Sequence, residues 1–342
     1  MKAVGLTRYL PVTDPECFVD VELPMPAPGP RDILVKVEAI SVNPVDCKQR
    51  APRAKVESPA RVLGWDAAGT VHRVGSAVTL FKPGDRVFYA GDVTRAGSDS
   101  EYHVVDERIA GFMPATLDFA QAAALPLTSI TAWEALFDRL KVAAPPRARP
   151  QKSVLIIGGA GGVGSIAIQL AAKVAGLKVI ATASRPESVK WCRDLGATEV
   201  VNHFGDLVAK VRAIGIKEVD YVLVFNDLDH HFKAAAELLA PQGGICSIVR
   251  PGAPLDTAPL MSKSSMIAWE FMFTRPSQGT PDMIEQHHLL NEVARLVDQG
   301  VLRTTLNETL TPINAANLRR VHAQVEGGRT IGKVVLSGWA RA

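Results

Sequence analysis

Residues 154–170 read VLIIGGAGGVGSIAIQL: an apolar run, a glycine-rich turn and the first turns of a helix. Gly159, Gly161 and Gly164 stand in the order G-x-G-x-x-G, with Gly162 and Val163 between the second and third. Val154 to Ile157 suits a central parallel strand, and the small residues after it let backbone approach a pyrophosphate at a helix N-terminus, where unpaired N–H groups and the helix dipole favour negative charge. Such a turn also occurs as plain strand-to-helix packing. A strand before it and a helical pattern after it favour the reading of a dinucleotide site.

The next strand decides which dinucleotide. Lys178 to Ala183 (KVIATA) supplies it, and Ala183 falls 19 positions after Gly164. A site that prefers NAD carries an Asp or Glu about 20 residues on, to bind the ribose 2′-OH. Here the chain continues Ala183-Ser184-Arg185. With no carboxylate to repel a 2′-phosphate, and a hydroxyl and guanidinium to hold one, NADPH is the expected cofactor.

The chain has 342 residues, 47% of them hydrophobic, enough for about two domains with substantial cores. Its net charge of +3 is dispersed and gives no electrostatic footprint for nucleic acid or an anionic membrane. Cys17, Cys47, Cys192 and Cys246 are far apart, with no C-x-x-C, so neither a disulfide framework nor a thiolate metal site is expected. A reducing cytoplasm fits that usage. The N-terminus lacks the apolar core of a signal peptide, and Val154 to Ala183 reads as strand-helix-strand rather than a membrane span.

The first third is β-rich. Pro24 to Pro30 is a stiff loop, Asp32 to Ala39 alternates as a half-buried strand, Arg61 to Val74 reads as a strand pair, and Lys82 to Asp85 is a turn opening a strand over Arg86 to Ala90. Frequent Pro/Gly turns predict a small barrel-like domain. Ala-rich helical sequence follows between Leu117 and Leu140, and Ala143 to Pro150 (AAPPRARP) reads as an exposed basic loop. Strands and helices then alternate: helix Val163 to Ala175, helix Ser188 to Leu195, strand Glu199 to Val201, strand Val219 to Phe225, helix His231 to Leu239, strand Ile245 to Val249. This is the rhythm of a doubly wound parallel sheet, whose ligands bind at the C-terminal ends of strands. Asn202-His203, Phe225-Asn226 and Val249-Arg250 are therefore candidates to line the cofactor crevice. Pro281 to Gly300 reads as one long amphipathic helix.

Five further motifs carry a resemblance together with the glycine loop: VNPVD (Val42 to Asp46), GWDAAG (Gly64 to Gly69), KPGDRV (Lys82 to Val87), Leu125-Pro126 with Thr131-Ala132, and Gly328-Arg329 with GKVV from Gly332. Across nearly its whole length the chain resembles medium-chain dehydrogenase/reductases of the quinone oxidoreductase-like branch, and in particular the proteins called zinc-type alcohol dehydrogenase-like. The resemblance implies an α/β protein with a GroES-like β-barrel catalytic domain over residues 1–125, to which 275–342 return, a Rossmann doubly wound parallel sheet over 126–274, and an active site in the cleft. It also implies a homodimer or homotetramer acting on a small molecule. It places cofactor contacts on Thr131, the glycine loop, Ser184, Arg185, His203 and Lys333. Relatives often carry Tyr where His203 stands. Phe271 to Arg275 falls where a loop of the dimer or nicotinamide region runs in relatives, and core packing is expected of its aromatics.

Zinc is where the family name and the residues diverge. Zinc-dependent relatives hold the metal with a Cys where this chain has Asn43, with a His where it has Trp65, and with a Cys near Leu127. The cysteines of their second, structural zinc are missing from Gly91 to Tyr102. No metal ligand set is expected. The pairs His230-His231 and His287-His288 read as solvated helix histidines, since neighbours on a helix point about 100° apart.

Without a Lewis acid the expected substrates are those that accept hydride readily, quinones and α,β-unsaturated carbonyls, whose developing oxyanion needs hydrogen-bond donors. The candidate donors are the Asn43 amide and the Lys48 ammonium. Lys48 stands where quinone reductases of this branch usually carry Tyr, and its alternative is an ion pair with Asp46 or simple solvation. Asp46 is expected to hold its loop by accepting backbone hydrogen bonds, and Trp65 to wall the substrate pocket. The alternatives are a zinc-dependent alcohol dehydrogenase, as the family name suggests, and a protein that binds or senses NADPH without turnover.

Overall fold

The computed structural model describes residues 1–144 and 151–340, so most of the loop read from Ala143 to Pro150 lies outside the described residues. The chain divides into two compact units. Unit 1 comprises Met1–Ile130 and Phe273–Ala342, and unit 2 Thr131–Met272.

Unit 1 holds strands β1 (Lys2–Tyr9), β2 (Val19–Glu22), β3 (Asp32–Ser41), β4 (Arg53–Val62), β5 (Ala67–Val74), β6 (Arg86–Tyr89), β7 (Tyr102–Asp106) and β8 (Ala110–Phe112). β3 is its hub. It pairs antiparallel with β5 and β7, and Ile33, Leu34, Val35 and Val37 along it are fully buried while Lys36 reaches solvent. The expected strand pair over Arg61 to Val74 is not formed. β4 joins β1 in a three-stranded sheet, and β5 joins β3 in a seven-stranded GroES-like sheet. Gly64, with φ +105°, turns the chain between the two sheets.

Unit 2 is a Rossmann-type sheet. β9 (Ser153–Ile157), β10 (Lys178–Thr182), β11 (Glu199–Val201), β12 (Val219–Val224), β13 (Leu239–Ser247) and β14 (Met266–Trp269) lie in the order β11-β10-β9-β12-β13-β14, with every pairing parallel. Order reverses beside β9, the strand that leads into the glycine turn, and ligands in open α/β sheets bind at that crossover. Four features depart from the sequence expectation. The helix read as starting at His231 starts at Leu228, because Asp227 caps it by accepting the His230 N–H. A helix over Leu207–Ala213, capped by Asp206, and the edge strand β14 were not foreseen. The predicted helix Val163 to Ala175 is α-helical over Gly162–Gln169 and continues as a π-helical turn over Leu170–Val174.

The chain then returns to unit 1 through the helix Glu285–Asp298, inside the predicted Pro281 to Gly300, followed by β15 (Leu306–Leu310), the helix Ala315–Glu326 and β16 (Lys333–Ser337). β16 pairs antiparallel with β3, which brings Lys333 to the strand that ends beside Asn43.

Candidate functional site

In unit 1 the site is built where β3 runs out. Asn43 caps the helix Pro44–Arg50, with Pro44 preset for its first turn, and Asp46 closes the box by accepting the Asn43 backbone N–H at 2.5 Å. Asp46 thus ties the first turn of the helix to the residue that precedes it. Asp66, in the bend ahead of β5, is the centre. Its Oδ2 accepts from the Asn43 amide at 2.8 Å, from Ser41 Oγ at 3.0 Å and from Lys333 Nζ at 3.0 Å, and its Oδ1 accepts the Leu127 N–H at 2.8 Å. The ammonium also donates to Val42 O at 3.0 Å and to Asn43 Oδ1. All three hydrogens of Lys333 are therefore committed within unit 1.

This geometry changes the roles given to several residues. Asn43 spends its remaining amide hydrogen on Trp65 O at 3.3 Å, so it is a bracket for Asp66 and Lys333, with no hydrogen left for a substrate oxygen. Lys333, expected against the cofactor, has its side chain only 3% exposed and ion-paired to Asp66. Trp65 is buried, donates from Nε1 to Asp92 O at 3.1 Å and meets Phe273 edge-on at 6.2 Å. Lys48 is exposed on its helix, whereas Asp46 is buried and its Oδ2 takes the Asn43 N–H. Sequence reasoning missed Asp66. Its signal was the carboxylate inside GWDAAG, a charged residue in a run that otherwise reads as core.

Burial shapes the electrostatics. Three carboxyls, Asp46, Asp66 and Asp99, are almost fully buried with the one ammonium of Lys333. Desolvation pushes Asp46 up to about 7 against the pull of the Asn43 N–H and of Lys333. It raises Asp66 and, with Asp46 adding repulsion, carries Asp99 well above the carboxylate range. His103, buried between Tyr89 Oη and Ala96 O, is lowered to about 4 by the same cause.

The residues do not fit zinc. The three positions where relatives carry zinc ligands present an amide, an indole and an isobutyl group, and the polar atoms that converge there already enclose an internal cation. Among the described residues no group of three His, Cys, Asp or Glu side chains is arranged to hold a metal ion.

Unit 2 carries the glycine turn. The turn is tied to β10, since Gly158 N donates to Thr182 Oγ1 at 3.0 Å and Gly159 N to Thr182 O at 3.2 Å. The three glycines are needed for different reasons. A Cβ on Gly159 would lie 2.9 Å from Ala181 Cβ, and one on Gly164 would lie 2.2 Å from Gly158 O. A Cβ on Gly161 would have only Gly158 O, at 3.6 Å, within 4 Å. Two glycines thus let the helix close on the strand, and the middle one keeps space open above the helix N-terminus that Gly162, Val163 and Gly164 begin.

Beside the turn, Arg185 opens the helix Pro186–Leu195, where Ser188 Oγ accepts the Arg185 N–H at 3.1 Å and the guanidinium meets Glu187 at 3.1 Å. Ser184 precedes it, half-buried. Phe225 and Val249 stand at the C-terminal ends of β12 and β13, also half-buried. Thr131 is buried in the helix Pro126–Trp133.

Each predicted solvated histidine pair splits. His230 and His288 are exposed, but His231 and His287 are buried, the latter held by Ala110 O at 2.7 Å and Asn291 at 2.9 Å. The 100° between helix neighbours sends one ring of each pair inward. Of the aromatics after Trp269, Phe273 is core whereas Phe271 is 53% exposed, so the packing expected of both holds for one.

Known proteins agree with this architecture. The family pattern described as "Alcohol dehydrogenase GroES-like domain" matches residues 29–130, and that described as "Zinc-binding dehydrogenase" matches residues 195–336. A zinc-type alcohol dehydrogenase-like protein of Staphylococcus aureus is 43% identical over 98% of this chain and 100% of its own length. A quinone oxidoreductase of Pseudomonas aeruginosa is 31% identical over 90% of this chain and 92% of its own. A crystal structure from Rhizobium etli, described as a candidate zinc-dependent alcohol dehydrogenase, superposes with TM-score 0.94 at 53% identity, covering 100% of this chain and 99% of its own. The Escherichia coli quinone oxidoreductase complexed with NADPH superposes with TM-score 0.80 at 26% identity, covering 98% and 100%.

Proposed function

The chain belongs to the medium-chain dehydrogenase/reductase superfamily, among the zinc-type alcohol dehydrogenase-like proteins and near the quinone oxidoreductases, and from that footing we propose that this oxidoreductase is a zinc-independent, NADPH-dependent reductase of quinones or α,β-unsaturated carbonyls. The observation that carries the reading is the internal cation. Lys333, Asp66 and Asn43 form a closed, charge-paired cluster at the position where a catalytic metal would need ligands. A chemistry that needs no Lewis acid follows, and conjugated acceptors fit it because their negative charge develops on an oxygen that donors alone can stabilise.

Bound nicotinamide supplies the hydride. The chain's own residues bind and orient: the glycine turn and the helix from Gly162 receive the pyrophosphate, and Ser184 with Arg185 receives the 2′-phosphate. Lys48, exposed and without a carboxylate partner on its helix, is the remaining candidate to hold the developing oxyanion. Asp46 and Asn43 hold the start of the helix that carries it.

The same reading extends to assembly and location. β14 ends the six-stranded sheet with Met266 41% and Trp269 47% exposed, and an apolar sheet edge invites pairing with a second copy. Light scattering on the purified protein is expected to give a dimer or tetramer. Four free, buried cysteines suit a reducing cytoplasm, and among the described residues no helix is long and apolar enough to cross a membrane.

The test is loss of NADPH absorbance with an ortho-quinone and a simple enone, run beside NADH and a chelator-treated sample. Chelator-insensitive turnover with NADPH is the expected result. Stoichiometric zinc in the purified protein, with turnover lost on chelation, would restore the alcohol dehydrogenase reading that the relatives' names favour. Saturable NADPH binding without turnover would make it a sensing protein.

A further inference from the structure

Parallel register places two loops side by side at the C-terminal edge of the sheet. Thr182 pairs with Val201, the Ala183 N–H donates to Val201 O at 3.0 Å, and two residues beyond this pair stand Ser184 in the loop after β10 and His203 in the loop after β11. His203 is not alone there. Its ring meets His231 at 6.4 Å and 87°, and His231 meets His230 at 4.7 Å and 83°. Two histidines from the helix Leu228–Leu238 thus gather against the loop that lies level with Ser184.

The surroundings decide what such a group does. Burial holds both His203 and His231 below the ordinary histidine value, with Lys210 and His230 pushing His203 further down, and His230 doing the same to His231. The charges around the group are Lys210 and Arg212 on the helix Leu207–Ala213, Asp206 on its cap, and Asp227, Lys233 and Glu237 on the histidine helix and its cap. Asp227 is the one acid acting on His231, and its Oδ1 accepts the His230 N–H. His230 and His231 also line a groove of about 390 Å³ with Arg212, Lys233 and Glu237, which gives the buried His231 ring a route for proton exchange with water. Burial first, and the cationic neighbours after it, disfavour the protonated form of His203 and His231. A dianion arriving beside them reverses that sign.

We propose that His203 and His231, with His230 behind them, extend the 2′-phosphate subsite, so that NADPH binds with uptake of a proton onto this histidine group and NADH does not. The proposal rests on the NADPH reading above and adds residues and a pH dependence to it. The linkage runs in one direction. Rings that are neutral when free and protonated beside the phosphate take up a proton on binding, so NADPH affinity rises as pH falls through the interval between the two states. These histidines are then specificity-determining residues for the cofactor, through the charge they acquire.

Calorimetric titration of the full chain with NADPH, NADH and adenosine 2′,5′-bisphosphate, between pH 8.0 and 6.0 in two buffers of different ionisation enthalpy, tests this. The expected result is proton uptake with the two phosphate-bearing ligands only. NADPH affinity should gain about fivefold more over that range in the wild type than in His203→Phe, one linked proton allowing at most about tenfold per pH unit. Because the phosphate titrates near pH 6 identically in both proteins, the variant comparison cancels its own contribution. His231→Phe is expected to lower the uptake too, and the wild-type buffer comparison stands even if that buried substitution does not fold. Preference for NADPH without proton uptake, or with a pH slope unchanged in His203→Phe, overturns the inference and leaves the cofactor reading intact. Tighter binding of NADH at every pH overturns both.

Discussion

Lys333 Nζ lies 3.0 Å from Asp66 Oδ2 although 267 positions separate them, and both side chains are buried. Their pairing ties the last strand of the chain to the segment just ahead of β5. A buried pair is worth little against an apolar replacement, but removing one partner strands the other charge. Lys333→Met should therefore cost about 3–5 kcal/mol in urea unfolding, with Asp66→Asn similar. The double variant is expected to lose clearly less than the sum, because no charge is left unpaired. Additive losses would show that the two groups do not depend on one another.

The glycine turn separates folding from ligand binding. At Gly164 an added methyl meets backbone, Gly158 O at 2.2 Å, which cannot move without opening the turn. Gly164→Ala should thus destabilise the protein by about 1–3 kcal/mol and weaken NADPH binding with it. At Gly161 the same methyl meets only Gly158 O, at an ordinary contact distance of 3.6 Å. Gly161→Ala is expected to leave Tm without ligand within about 1 °C of the wild type and to raise the NADPH Kd at least about tenfold, by occupying the approach of the pyrophosphate. Fluorescence titration and thermal melts on both variants check the contrast. Equal melting losses in the two would contradict it.

Several buried carboxyls make stability fall on the alkaline side. Asp46 is held up to about 7, Asp99 well above the usual range, and Glu270 is raised by burial and by Glu134 beside it, with Arg139 pulling the other way. An unfolded carboxyl titrates near 4. Between 4 and the native value the folded state keeps the proton and the unfolded state has lost it, so stability drops as pH rises through that window. The wild type should melt higher at pH 6 than at pH 8.5, by about 2–4 °C for each kcal/mol involved. In Glu270→Gln the difference should shrink, since the amide never ionises. A melting temperature flat across that range would remove the effect.

What was legible in the sequence was what the backbone makes local. The glycine turn, its strand and the missing acid after Ala183 could be read because the spacing of a βαβ unit is set by chain geometry within 30 residues. GroES-like and Rossmann units followed from strand rhythm and motifs. The hub at Asp66 could not be read. It joins Ser41, Asn43, Leu127 and Lys333, and only β16 pairing with β3 brings the last of these in. Lys333 and Asn43 were accordingly given ligand-facing roles that their own hydrogen bonds now occupy. His230 and His231 show the same limit. Adjacent in sequence and alike in composition, they differ because the helix starts at Leu228, set by the Asp227 cap, and so turns His231 inward onto His203.

Lys48 is left as the group whose role only kinetics reveals. It lies on the exposed side of the helix Pro44–Arg50, two residues past an Asp46 whose carboxyl is turned to the Asn43 N–H. If the ammonium holds the oxyanion, Lys48→Ala should lower kcat with an enone about tenfold or more, below the larger losses seen when a fully enclosed donor is removed. Lys48→Arg should recover part of that loss, and the NADPH Kd should stay at the wild-type value in both, because no cofactor contact is touched. Solvent exposure also sets a salt dependence, and the wild-type advantage over Lys48→Ala should narrow as ionic strength rises. Unchanged kcat in Lys48→Ala would pass the oxyanion and its proton to bound water and leave Lys48 as a surface lysine.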